Sequence, residues 1–184
     1  LAACGKVPFV ATFAAFFTRA YDFVRMAAIS GSNIKLVGTH VGVSIGEDGP
    51  SQMGLEDIAM MAAQPGVTVL YPSDATCTYR LVELAATHKG MVYIRAGRPK
   101  SQVLYGPDET FQIGGSKVIR QDASDVLTIV AAGVTLFEAL KAYDTLKGAG
   151  ISVRIVDLYS IVPIDRTTLL DSARATQGRI LTVE

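Results

Sequence analysis

Short apolar strands taking turns with amphipathic helices predict an α/β protein built on parallel sheet. Three observations carry that expectation. Four strand-like runs rich in β-branched and aromatic residues (7–11, 35–39, 67–71 and 91–95) are separated by segments long enough to cross over a sheet. Those segments carry helical periodicity rather than hairpin turns. With 49% hydrophobic residues among 184, the chain has enough apolar surface to cover such a sheet on both faces, as parallel strands require.

The elements follow in order. After the run 7–11, apolar residues at Phe13, Phe16, Phe17, Ala20, Val24 and Ala27 predict a helix over 13–29, ended by Gly31 and Asn33. A strand at 35–39 leads into a glycine-rich, helix-free stretch at 41–50, then a helix at 55–63 stopped by Gln64-Pro65-Gly66. The strand 67–71 is followed by Pro72-Ser73-Asp74, a helix start signal, and the helix runs to His88 before the strand 91–95. Residues 97–115 change character, with Pro99, Gly106, Pro107, Gly114 and Gly115 among charged residues, and read as an interdomain linker. This divides the chain into 1–106, a linker at 107–115, and a smaller α/β domain at 116–184. Strands at 117–120 and 126–131, a helix at 136–147, a strand at 152–157, a short helix after Pro163 and a buried strand at 179–183 fill the second unit. Closing on a strand, and opening without Met or a signal-like segment, the chain reads as a piece of something longer with both domains truncated.

Composition narrows the function. Lys+Arg 17 against Asp+Glu 17 and an isoelectric point near 6.9 give no global reason to bind nucleic acid or an anionic membrane. No apolar run approaches the roughly 20 residues of a membrane helix. Cys4 and Cys77 stand in no metal or redox spacing and read as two buried thiols in a reducing compartment. Phosphate-loop, dinucleotide, zinc-protease and serine-elbow motifs are absent.

Three segments are able to carry chemistry. Gly38 to Gln52 leaves the carboxyl end of a strand, where open α/β sheets hold ligands, and sets His40, Asp48 and Gln52 among glycines that let backbone approach a ligand. Phe13 and Phe16, three apart at the expected helix start, fit either a core stripe or the walls of a slot for a planar ring, with Arg19 off that face. Arg95 and Arg98 sit at a strand tip suited to phosphate. His88 reads as a solvated helix-end residue.

These segments together carry a resemblance. Ala11-Thr12-Phe13-Ala14-Ala15-Phe16-Phe17-Thr18-Arg19-Ala20, the loop containing Gly46-Glu47-Asp48-Gly49-Pro50, and residues 170–184 resemble the transketolases, above all their animal-type branch, over essentially the whole chain. The resemblance implies a pyrimidine-binding domain followed by part of a C-terminal domain. It implies thiamine diphosphate as cofactor, with Mg²⁺ or Ca²⁺ held by a diphosphate-binding domain outside this sequence, and transfer of a two-carbon ketol unit between sugar phosphates. It gives Phe13 and Phe16 to the aminopyrimidine ring, with Arg19 nearby. His40 and Arg98 grip the substrate phosphate and Asp48 selects hydroxyl configuration. Gln52 stands where other branches have a histidine near the reacting carbonyl, and with His40 forms the expected catalytic pair. The glutamate that activates the aminopyrimidine is expected before Leu1. The resemblance further implies a cytoplasmic homodimer with the active site between subunits, and a piece inactive alone. A split transketolase's C-terminal subunit and a non-catalytic transketolase-like regulatory protein stay open as alternatives, while deoxyxylulose-phosphate synthase and 2-oxoacid dehydrogenase β-subunits fit residues 46–52 poorly.

Overall fold

The computed structural model describes residues 1–184, in two mostly parallel mixed sheets. The first sheet contains β1 (Phe9–Phe13), β2 (Lys35–Thr39), β3 (Thr68–Leu70) and β4 (Val92–Arg95), parallel and in the spatial order β1-β2-β4-β3. Side chains alternate between its faces. Leu36, Val69 and Tyr93 pack under α1 (Tyr21–Ile29) and α2 (Asp57–Ala62), whereas Leu70, Val92 and Ile94 pack against α3 (Ala75–Thr87) through Cys77, Leu81 and Ala85. This two-sided burial is why the strands read as continuous apolar runs.

The second sheet has the order β5-β7-β6-β9, made of β5 (Lys117–Arg120), β6 (Thr128–Ala131), β7 (Arg154–Asp157) and β9 (Ile180–Val183). Only β5 runs antiparallel, against β7. Its core forms under α4 (Val134–Gly148), with Leu136 and Ala139 against Ile129, Val153 and Ile155. Between β7 and β9 come β8 (Ser160–Val162) and α5 (Arg166–Ala175), whose first turn is capped by Asp165 accepting from Thr168 N–H at 3.0 Å.

Several expectations are corrected. The helix expected over 13–29 is three pieces: β1 continues in register with β2 to the pair Phe13 and Thr39, a 3₁₀ turn covers Ala14–Thr18, and α1 starts only at Tyr21. Strand pairing and burial of Phe17 edge-on against Tyr93 override the local periodicity. The second unit sends β8 back to the first sheet as a fifth, antiparallel strand beside β3. The linker is no loose tether. One Asp74 oxygen caps α3 through Cys77 N–H and the other accepts from the N–H groups of Leu104 and Tyr105 at 2.6 and 2.9 Å, while Phe111 packs edge-on against Tyr105 and Tyr159. The last strand is not buried: β9 has one neighbour, β6, and Ile180 and Leu181 are nearly half exposed. Cys77 is buried but Cys4 is exposed. His88 is only partly exposed, its Nε2 3.4 Å from the Thr68 hydroxyl. No helix is long and apolar enough to cross a membrane.

Candidate active site

Parallel pairing puts Phe13 and Thr39 side by side at the carboxyl ends of β1 and β2, so the aromatic turn and the His40 loop start from neighbouring points. The Phe13 and Phe16 rings stack, centroids 5.2 Å apart and 13° from parallel. They share no helix face, as Phe13 ends a strand and Phe16 lies in the 3₁₀ turn. The His40 ring lies on Phe13 at 3.7 Å and 18°. Three flat rings thus form one row, with Phe16 at its partly exposed end. His40 has φ 58°, a left-handed conformation unusual outside glycine, and its Nδ1 is 3.0 Å from the Thr39 hydroxyl.

The acidic loop forms the second group. A 3₁₀ turn at Gly46–Asp48 presents Asp48 to Arg98, Nη1 to Oδ2 at 2.9 Å. Arg98 also donates to the Ile45 carbonyl at 3.1 Å and lies 3.3 Å from Glu47. Its Nε–H makes no bond within the chain, leaving a donor for another oxyanion. Gln52 is half-buried, its side-chain oxygen accepting from the Ser51 hydroxyl. Arg19 is exposed just past the aromatic turn. The structure therefore joins Phe13, Phe16 and His40 directly, and Asp48 and Arg98 directly, while Gln52 and Arg19 bond to neither group.

Arg95 differs from its expected role. It is buried in a bidentate pair with Asp57 at 2.8 and 3.1 Å, and so is not the phosphate-facing arginine of this strand tip. Asp57 also accepts the Tyr93 hydroxyl at 2.7 Å. Burial, then the Asp57 charge, pushes the Tyr93 hydroxyl far above its usual range, so it stays a donor. Nothing in the spacing of Asp57, Tyr93 and Arg95 reveals this cluster. The one available signal is two ionisable residues, Asp57 and Arg95, in segments whose neighbours are core.

The candidate residues form an open surface. A cleft of about 900 Å³ lies between residues 96–102, the start of α3 and α4; Arg98 lines it, and Phe13, Phe16, His40, Asp48 and Gln52 do not. No three His, Cys, Asp or Glu side chains come together as a metal site needs.

Comparison with known proteins now identifies the family. Residues 1–102 match the model of the transketolase pyrimidine binding domain and residues 115–184 that of the transketolase C-terminal domain. The chain is 58% identical to the transketolase of Mus musculus and 56% identical to transketolase-like protein 1 of Bos taurus, each over 97% of its own length. It spans 29% and 30% of those relatives. Among solved structures, a split-gene transketolase described as an inactive β4 tetramer matches all of this chain and 59% of its own, with TM-score 0.90 and 38% identity. Transketolase of Pichia stipitis in complex with sedoheptulose 7-phosphate matches 96% of this chain and 26% of its own, with TM-score 0.82 and 27% identity. With both domain families matched in order and the two-sheet fold shared, the chain belongs to the transketolase family.

Proposed function

We propose that this chain supplies the pyrimidine-binding side of a thiamine-diphosphate transketolase that moves a two-carbon ketol unit from a ketose phosphate to an aldose phosphate. The observation that supports it is the row of flat rings, Phe16, Phe13 and His40, at the carboxyl ends of β1 and β2, with Arg98 and its uncommitted donor three residues past the end of the adjoining parallel strand β4. Phe16 is 41% exposed, so a planar ring can add to the row; the residues present fit an aminopyrimidine. Bound there, the cofactor supplies the carbanion chemistry of ketol transfer.

The chain's residues orient and hold. Phe13 and Phe16 fix the plane of the cofactor ring, with Arg19 at its edge. His40 and Arg98 grip the sugar phosphate, Arg98 through its free Nε–H. Asp48, held by Arg98, accepts a substrate hydroxyl and so selects its configuration. Gln52 polarises the reacting carbonyl by hydrogen bonding, since an amide cannot pass on a proton as an imidazolium does. Mg²⁺ or Ca²⁺ belongs with the diphosphate, held by groups outside this chain, and the assembly is a cytoplasmic homodimer whose site closes between subunits. A domain division at 1–106 and 116–184 completes the reading.

A second reading is favoured by the likeness to a split-gene transketolase: the diphosphate-binding half is then a separate polypeptide, and every role above is unchanged. A non-catalytic relative keeping the ring row but lacking turnover is the third.

Steady-state kinetics of the assembled enzyme test the roles. A charge-assisted hydrogen bond contributes about 1.5–3 kcal/mol, so His40→Ala and Arg98→Ala should each raise KM for phosphorylated sugars by about tenfold or more and change KM for unphosphorylated ones little. Equal effects on both substrate types would overturn the assignment, and absence of turnover in the assembled parent would favour the non-catalytic reading.

A further inference from the structure

Gly54 is where the two ring-bearing segments meet. Its N–H donates to the His40 carbonyl at 3.2 Å and its carbonyl accepts from Gly42 N–H at 2.8 Å, forming an isolated parallel bridge with Val41. A Cβ at Gly54 would stand 2.5 Å from the Ala14 Cβ and 3.3 Å from the Ala15 nitrogen. Only glycine lets this backbone lie against the turn that carries Phe16. One residue thus holds the left-handed His40 segment and touches the aromatic turn.

Gly54 is held in turn by side chains from below. Arg95 Nη2 donates to its carbonyl at 3.3 Å. The guanidinium is fixed on every side: Nε and Nη2 grip both Asp57 oxygens, Nη1 is 3.2 Å from Glu184, and the plane lies 4.6 Å from the centre of the Tyr71 ring. Asp57 is oriented by the Tyr93 hydroxyl from the neighbouring strand position. Arg95 and Asp57 are 3% and 1% exposed, and neither reaches the open surface. A buried ion pair is a poor device for stability, since apolar residues of similar volume often serve as well. Apolar residues cannot hold a carbonyl oxygen at a fixed point.

We infer that Arg95, locked by Asp57 and Tyr93, is a positioning residue that fixes His40 against Phe13 by anchoring Gly54. Its importance for catalysis rests on the reading of those rings as the cofactor and substrate face; its geometry does not.

The chain has only two histidines, His40 and His88, so imidazole proton resonances report on His40 with His88 as the internal control, without turnover. Stacked on Phe13, the His40 ring protons are displaced by the phenyl ring current. Arg95→Lys keeps the charge but loses the fork; it should return the His40 signals toward the unstacked position and leave those of His88 in place. Tyr93→Phe, which removes one hydroxyl without changing packing volume, should shift them the same way by less, and decides the matter if Arg95→Lys does not fold. In the assembled enzyme Arg95→Lys should lower kcat/KM by about tenfold to a hundredfold, mainly through KM for the phosphorylated donor. A folded variant with unmoved His40 signals overturns the inference. Shifted signals with unchanged kinetics uphold the positioning and overturn the role given to His40.

Discussion

Gly38 shows how a single residue conditions the site. A Cβ there would lie 2.1 Å from the Tyr93 hydroxyl, so the missing side chain is the space through which Tyr93 reaches Asp57. Gly38→Ala should destabilise the fold by about 2–4 kcal/mol, combining overpacking with a buried carboxylate that loses a donor. In a Tyr93→Phe background the penalty should shrink, because the nearest obstructing atom is gone; urea denaturation of the two single variants and the double variant measures the coupling. Additive costs would show that Gly38 serves some other purpose. Phe13, Phe16, His40, Asp48, Gln52 and Arg98 could be proposed from the sequence because their types suit the chemistry expected there. Gly38, Gly54 and Arg95 were not, because their function is set by which atoms they leave room for or hold across strands distant in the chain.

At the scale of elements, what could be read depended on where each element's stability comes from. The strands at β2, β3 and β4 and the helices α3 and α4 follow local periodicity and capping, and the expected and observed bounds differ by no more than a turn's fraying. The 3₁₀ turn, β8 and the pinned connection after Arg98 are set by tertiary contacts and left no such signal. Besides β8 and the packing of Phe111, one buried polar residue joins the two sheets, Asp157 at the end of β7. It is wholly buried, accepts from Ser73 before α3 at 2.8 Å and from the Tyr105 hydroxyl at 2.6 Å, and has its other oxygen unpartnered. Burial pushes its carboxyl up to about 6, against the lowering effect of those two hydrogen bonds, with Asp74 raising it and Lys117 lowering it. A carboxyl whose folded pKa lies above its unfolded value binds the proton more tightly when folded. Its contribution is therefore fully present below about pH 4 and is lost as pH rises through 6. Asp157→Asn should remove that loss, so Tm of the variant relative to the parent should be higher at pH 7.5 than at pH 4. A difference independent of pH would show that Asp157 is not the titrating group.

In the molecule as a whole the candidate residues lie on an open face, and electrostatic catalysis needs a site closed to water. Phe16, Arg19 and Arg98 are all exposed. Beside them β1 is the edge strand of its sheet, and Phe9, Val10, Phe23, Met26 and Ile29 are exposed along β1 and one stripe of α1. Exposed apolar side chains of this kind, on the strand and helix that lead into the aromatic turn and out of it, are what a second polypeptide has to cover in the proposed assembly. The chain by itself should therefore show no ketol transfer with thiamine diphosphate and Mg²⁺, and adding the diphosphate-binding half should restore it. Phe23→Asp tests the face directly. As Phe23 is 77% exposed, the change should alter the chain's own stability by no more than about 0.5 kcal/mol, yet it should weaken assembly in sedimentation and lower activity in a way that higher protein concentration recovers. Turnover by the chain alone would refute the half-site reading. Unchanged assembly of Phe23→Asp would move the interface to another face.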